Sequence, residues 1–324
     1  MDSVMWNGCR YAVRPGPMYE SYFLRGNHPD RAQAFWIRYT IFHSADAATG
    51  PEAELWVALF EEGKAVFGGH ERIPMNQSSW NPDKLDVSIR EAFLREGEAS
   101  GKIHDQGTDV SWNLSWEGDA EPLTLLSPRL YRGGFPKAKA VVPRPMVQFT
   151  GQICLGDLAW KVNGWPGSQN HNWGSQHTDA YAWGQVMGFD SHPEASLECA
   201  TARLKLAGLW TPPLSLAILR LGGMEYRFDS LLRAFRSKGH FEKGQWALAV
   251  RNGREQLEVE MDCEESAWVS LPYRNPPGGL KRCHNSKVAR ANVRLTTEGG
   301  EQISLVTTHG AAFEILEDLN EAEA

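Results

Sequence analysis

Residues 168–185 read SQNHNWGSQHTDAYAWGQ. The stretch holds His171 and His177, Trp173 and Trp183, Tyr181, one carboxylate (Asp179) and five amide side chains. If residues 177–189 are extended, side chains alternate between two faces. His177, Asp179, Tyr181, Trp183, Gln185, Met187 and Phe189 then share one face. Thr178, Ala180, Ala182, Gly184, Val186 and Gly188 share the other. The small face suits close packing of backbones. The large face, with aromatic walls and a few polar groups, suits a cavity lining. For Tyr181, Trp183, Met187 and Phe189 core packing is favoured over a cavity wall. Burying His177, Asp179 and Gln185 in a row needs several compensating hydrogen bonds, which favours a site.

Strand signals extend outward from this segment. In VSWNLSW, Val110, Trp112, Leu114 and Trp116 share one face, and Ser111, Asn113 and Ser115 the other. FWIRYTIF and ELWVALF read as strands joined by a polar loop, and KAVFGGHERIP as the next, with Gly68-Gly69 marking a bulge or bend. In QWALAVRNGREQLEVEMD, an Asn252-Gly253 turn predicts a hairpin with Leu248 opposite Leu257 and Trp246 opposite Val259. A second hairpin is expected in VRLTTEGGEQISLV, with Gly299-Gly300 near its tip. One amphipathic helix of two or three turns is expected within NPDKLDVSIREAFLREGEASG, and SLLRAFRSKGH reads as strand. The chain is therefore mostly β, with sandwich or barrel as the default architecture. The turn-rich FDSHPEAS places a division near residue 192, giving domains 1–192 and 193–324.

Composition narrows the function. The chain has 324 residues, a net charge of −7, 42% hydrophobic and 23% charged residues, which suits a globular protein. No basic run favours nucleic acid. Five scattered cysteines without CxxC spacing point to reduced thiols and a cytoplasmic location. No apolar leader or membrane-length apolar run is visible, so a greasy ligand would be met in solution or at a membrane surface. No P-loop, dinucleotide fingerprint or nucleophile elbow is present. His171, His177 and Asp179 have no zinc-site spacing, so no metal is assigned. Glu198, in SLECATARL, shares a face with Ser196, Ala200, Ala202 and Leu204. There it could act as an acid of raised pKa, or pair with an arginine such as Arg203 or Arg38.

NHNWG followed by YAWGQVMGFD resembles a family of tandem lipocalin-like proteins that includes carotenoid hydratase, tocopherol cyclase, kievitone hydratase and fungal Diels–Alderases. GGLKRCHNSKVARANVRL and HGAAFEIL are similar to the closing strands of the second domain. The resemblance spans residues 20–318 and implies two lipocalin-like antiparallel β domains in tandem. It also implies cofactor-independent hydration, cyclisation or isomerisation of a hydrophobic terpenoid, polyene or polyketide-like molecule. His171, Asn172, Trp173 and Gly174 match the motif, and Tyr181 and Trp183 the aromatic strand. Where many relatives have Asp or Glu, this chain has Asn170, and an amide is no general acid. Asp179 or Glu198 then supplies the proton, or no acid-catalysed reaction occurs. His171 and His177 would orient water or a substrate oxygen. Asn170, Asn172, Trp173, Tyr181, Trp183 and Gln185 would line the pocket. A lipid or isoprenoid carrier, and a structural protein with a filled core, are the rival readings.

Overall fold

The computed structural model describes residues 4–118, 120–206 and 208–319; the first three residues of the N-terminal reading lie outside it. The first half builds one antiparallel sheet from β1 (Met18–Asn27), β2 (Ala34–His43), β3 (Glu52–Glu61), β4 (Lys64–Pro74), β5 (Ser78–Trp80), β6 (Asp86–Ile89), β7 (Ala92–Arg95), β8 (Glu98–Asp105), β9 (Thr108–Glu117), β10 (Ala138–Leu155) and β11 (Leu158–Gly174). Its order is β4-β3-β2-β1-β11-β10-β9-β8-β7-β6-β5. After a bend at 175–179 come β12 (Ala180–Met187), β13 (Ser196–Arg203), the small hairpin β14 (Lys205–Leu206) and β15 (Leu209–Trp210), β16 (Leu214–Leu221), β17 (Met224–Phe228), β18 (Lys238–Glu242), β19 (Gln245–Asn252), β20 (Glu255–Asp262), β21 (Val269–Arg274), β22 (Leu280–Thr296) and β23 (Gln302–Asp318). They form a second antiparallel sheet, β17-β16-β13-β12-β23-β22-β20-β19-β18, with β21 added to β22 and β14–β15 apart. Four short α-helices are added, α1 (Val4–Asn7), α2 (Arg10–Val13), α3 (Pro128–Arg132) and α4 (Leu231–Ala234), with single 3-10 turns at Met75–Gln77 and Glu265–Ala267. The architecture is the tandem, mostly β, lipocalin-like one. None of the described helices is long and apolar enough to cross a membrane.

Each sheet curls around its own core. Tyr22, Leu24, Ile37, Val57, Trp112, Leu114, Phe149 and Trp165 belong to the first. Ala182, Val186, Leu197, Trp246, Leu248, Val259 and Phe313 belong to the second. The outer faces of β1–β3 then meet β12, β21 and β23: Phe23, Trp36, Trp56 and Phe60 pack against Trp183, Leu271, Tyr273 and Leu316. Strands β1–β3 are thus buried on both sides. This explains why FWIRYTIF and ELWVALF read as continuous apolar runs instead of alternating ones.

Several local expectations are corrected. The helix expected within 81–101 is the hairpin β6–β7. Leu85, Val87, Ile89, Ala92 and Leu94 are buried at a spacing of two on either side of Arg90, whose φ is +52, and that period governs. SLLRAFRSKGH divides into α4 and the start of β18. The β19–β20 turn is Gly253-Arg254, not Asn252-Gly253: Asn252 pairs with Glu255, Leu248 with Val259 and Trp246 with Met261. Gly253, at φ +65, leads the turn, the position where a II′ turn demands glycine. The shift is two residues in register, so the faces are unchanged. Gly68 and Gly69 do not mark the irregularity in β4, which falls between Leu59 and Phe60 on β3 and Ala65 and Phe67 on β4. A Cβ on Gly68 would lie 2.2 Å from Val269 Cγ1, so Gly68 admits the second sheet. Residues 189–195 are the loop of the β12–β13 hairpin. A division at 192 would separate β12 from β13 and β23, the strands to which it is hydrogen-bonded.

Candidate functional site between the sheets

Alternation along β11 sends its residues to two different places. His171 and Trp173 turn into the first barrel; Ser168, Asn170 and Asn172 face the second sheet. His171 Nε2 lies 2.9 Å from Glu20 Oε1 and Nδ1 lies 2.6 Å from the Trp6 carbonyl oxygen, with Tyr22 stacked on the ring at 4.0 Å. Glu20 also accepts the backbone N–H groups of Arg10 (2.9 Å) and Tyr11 (2.7 Å). The Arg10 guanidinium sits 3.5 Å over the Trp173 ring. Burial opposes ionisation of Glu20, but the bonds from His171, Arg10 and Tyr11 outweigh it and hold its carboxyl below the ordinary 4.5. These two motif residues therefore fasten the N-terminal segment onto the first barrel.

The expected parity of β12 is met from Tyr181 to Met187. Ala182 and Val186 face the second core, and a Cβ on Gly184 would lie 2.5 Å from Met261 Sδ. Trp183 and Gln185 face the first sheet. Gln185 pairs across the ladder with Glu198 on β13. Its amide Nε2 donates to Glu198 Oε2 and to Asn170 Oδ1, both at 2.8 Å, and its Oε1 accepts from Ser168 Oγ at 2.7 Å. Asn170 Nδ2 donates to Ser168 Oγ at 2.9 Å, and Trp183 Nε1 donates to Glu198 Oε1 at 2.7 Å. Thus Asn170, Gln185, Trp183 and Glu198 form one chain of hydrogen bonds joining β11, β12 and β13.

Burial pushes Glu198 up from the ordinary 4.5 to about 7, although the bonds from Trp183 and Gln185 and the charge of Arg25 pull the other way. The arginine that faces Glu198 is Arg25, rather than Arg203 or Arg38. Arg25 is fully buried, and desolvation lowers it to about 10. Its Nη1 reaches the carbonyls of Gln185 (3.4 Å) and Gly310 (3.3 Å), while Nε and Nη2 have no protein partner.

Beside this lies a second polar group that the sequence reading missed. Lys287 Nζ donates to Glu314 Oε1 (2.8 Å) and Asn285 Oδ1 (2.5 Å), and stands 5.7 Å from the Trp36 ring and 5.5 Å from that of Trp183. Arg38 donates to Ser21 Oγ (2.7 Å) and lies 4.7 Å over the Tyr273 ring. Trp36 Nε1, Arg38 Nε and the Tyr273 hydroxyl are buried without a hydrogen-bond partner. The available signal was a charge inside a run buried on both faces: Arg25 in YFLRG and Arg38 in FWIRYTIF.

The two candidates before β12 lie at the margin of this region, with the His177 ring 5.6 Å from that of Tyr273. Residues 175–179 form a bend, so His177 and Asp179 are outside the strand and do not join Trp183 by alternation. The His177 ring stacks on Tyr19 at 4.1 Å, and its Nε2 lies 3.2 Å from the Arg274 carbonyl; burial pulls it down to about 3. Asp179 Oδ2 accepts the backbone N–H of Lys205 at 2.8 Å, at the base of the β14–β15 hairpin. At the sheet interface Gln185, Glu198, Arg25 and Lys287 are all buried, so no roomy hollow opens onto Glu198, while Tyr181 is half-buried. Two clefts lie away from it, about 40 Å³ beside Ser215, Asp229 and Ser237, and about 320 Å³ over Lys102, Asn113 and Gln152. Among the described residues, no three His, Cys, Asp or Glu side chains are grouped to hold a metal.

The tocopherol cyclase-like family model matches residues 16–317. The chain belongs to the tocopherol cyclase-like family. An uncharacterised protein of Mycobacterium tuberculosis, found in strains CDC 1551 and H37Rv, is 28% identical over 271 residues, covering 82% of this chain and 77% of that protein. Among solved structures, CghA aligns with a TM-score of 0.57 at 12% identity, over 94% of this chain and 89% of its own. Kievitone hydratase from Nectria haematococca gives 0.56 at 9% identity, over 97% and 91%. An AttH candidate from Nitrosomonas europaea gives 0.56 at 14% identity, over 95% and 94%. At these identities the likeness is one of fold, and it runs across both sheets.

Proposed function

We propose that this member of the family is an enzyme that protonates a carbon–carbon double bond of a hydrophobic terpenoid, polyene or polyketide-like molecule between its two sheets. The outcome would be hydration, cyclisation or isomerisation. The observation that carries the reading is Glu198, a carboxyl held near neutrality by burial, facing the first sheet beside the Trp183 indole that donates to it. A carboxylic acid protonated near pH 7 can deliver a proton to carbon, and indole faces stabilise the cation that results. Kievitone hydratase, which shares the fold, supplies a hydratase precedent. Asn170 does not replace the missing acid; it holds Gln185, which holds Glu198. Because Glu198, Gln185 and Arg25 are buried, access of a ligand to the carboxyl requires side chains of the two sheets to part.

Both Glu198 oxygens already have donors, which favours a second reading: the chain of hydrogen bonds is a polar staple between sheets, without chemistry. One experiment separates the two. Purified protein is incubated with geranylgeraniol or squalene in D₂O, and products are analysed for deuterium on carbon. Incorporation that falls by at least ~100-fold in Glu198→Gln supports the acid role, since general-acid groups contribute about that much. Equal incorporation by a folded Glu198→Gln removes Glu198 from the mechanism, and none by the wild type favours the staple.

A further inference from the structure

One rim of the second sheet carries a group of uncovered apolar side chains. Hairpin β14–β15 presents Leu206 (58% exposed), Leu209 (76%) and Trp210 (41%). Its base is firmly held. Asp179 accepts the Lys205 N–H, Leu204 N–H bonds to Thr211 Oγ1 at 3.0 Å, and Lys205 Nζ reaches Asp318 at 2.9 Å. Arg203 and Lys205 lie 4.9 and 4.7 Å from the Trp210 ring. The two short strands are therefore positioned, yet no described residue covers Leu206 or Leu209.

The same rim includes α4 and the turn after it. Ser215 pairs with Thr201 near the end of β13, and its N–H donates to Ser237 Oγ at 2.9 Å. This places Leu232 (84% exposed) and Phe235 (55%) at the end of the sheet from which the hairpin projects. Cations are interleaved with these residues: Arg203, Lys205, Arg233, Arg236 and Lys238. The carboxylates at this rim are engaged, Asp179 and Asp318 at the hairpin base and Asp229 by Arg227 at 2.8 Å. The local basic character stands against a chain of net charge −7.

We infer that this rim docks the protein onto an anionic lipid surface. Leu206, Leu209, Trp210, Leu232 and Phe235 enter the boundary between headgroups and acyl chains, and the neighbouring cations meet the phosphates. Apolar side chains mixed with Lys and Arg, with an indole at their edge, form the chemistry of an interfacial anchor. Self-association through the same rim would bring like charges face to face. The inference does not depend on the proposed chemistry, because its readout is partitioning and not turnover.

The test is sedimentation of the full chain with vesicles of phosphatidylcholine alone or of equal parts phosphatidylcholine and phosphatidylglycerol. The wild type is expected to pellet with the mixed vesicles, less with phosphatidylcholine, and less at high salt. The triple variant Leu206→Ser, Leu209→Ser, Trp210→Ser should lose ~10-fold or more in partitioning. The double variant Arg233→Ser, Arg236→Ser should bind more weakly, with a shallower salt dependence. Three results would overturn the inference. The wild type could stay in the supernatant with mixed vesicles. The triple variant, with unchanged circular dichroism and unfolding midpoint, could pellet equally well. Or lipid-free ultracentrifugation could show a dimer that the triple variant no longer forms.

Discussion

Replacing Glu198 by glutamine should alter stability in a way that changes with pH, and the size of that change follows from the site. In the folded protein the carboxyl is raised from the ordinary 4.5 to about 7, chiefly by burial. A folded pKa above the unfolded one means that the native state holds the proton more tightly. Glu198 is therefore no burden below the unfolded pKa, and stability is lost as pH rises from about 4.5 to 7. The full loss amounts to about 3 kcal/mol, because each pKa unit corresponds to about 1.4 kcal/mol. Most of it, about 2 to 3 kcal/mol, accrues between roughly pH 5 and 8. Glu198→Gln abolishes this slope but introduces another defect. Trp183 and Gln185 both donate to Glu198, while an amide offers one oxygen and one NH₂. One buried donor then faces another donor, which costs about 1–3 kcal/mol at every pH. The variant should be clearly less stable than the wild type near pH 5, and equal to it or more stable near pH 8. Urea unfolding followed by tryptophan fluorescence at the two pH values measures both. Parallel stability curves, with the same difference at each pH, would refute the claim that Glu198 is raised by burial and with it the basis for an acid at this position.

Two further outcomes test the contact between the sheets and the anchoring of the N-terminal segment. Gly68→Val should destabilise by about 1–3 kcal/mol, the usual range for overpacking, because its Cβ would collide with Val269. Val269→Ala should recover part of that loss, and a double-mutant cycle in urea would show the coupling. Glu20 has a folded pKa below its ordinary value, so its contribution is present at neutral pH and is lost as pH falls through the folded pKa. Glu20→Gln at pH 7 should therefore free the N-terminal segment, seen as faster limited proteolysis within residues 4–15, with the core resistant. Equal cleavage rates would show that the His171–Glu20 pair does not hold that segment.

How much of this was legible depended on what each residue contacts. Alternating strands such as VSWNLSW were plain, because one side is wet and the period of two survives. The parity of β12 was equally readable, since Ala182, Gly184 and Val186 had to face something close. The end of that strand was not: nothing local says that 175–179 bend, and the bend displaces His177 and Asp179. Residues 81–101 carry helix-like amphipathicity, but burial of Leu85, Val87 and Ile89 at a spacing of two makes them a hairpin. Arg25, Lys287 and Glu314 were hidden for another reason. They lie in strands buried on both faces, where an isolated charge looks like a surface position until the opposing sheet is placed.

The HNWG run gains its meaning from a single geometric fact, that neighbours on a strand look in opposite directions. His171 and Trp173 face inward and bind Glu20 and Arg10, which seals the first barrel with the N-terminal segment. Asn170 faces outward and, through Gln185, fixes the carboxyl of Glu198 on another sheet. One short motif thus controls both the closure of a barrel and the orientation of a buried acid. The two roles share a backbone but no side-chain contact, so substitutions should separate them. Damage at His171 should appear first as release of the N-terminal segment, and damage at Asn170 first as a changed titration of Glu198. A histidine variant that altered the Glu198 titration while keeping the segment in place would contradict this division and put His171 at the interface.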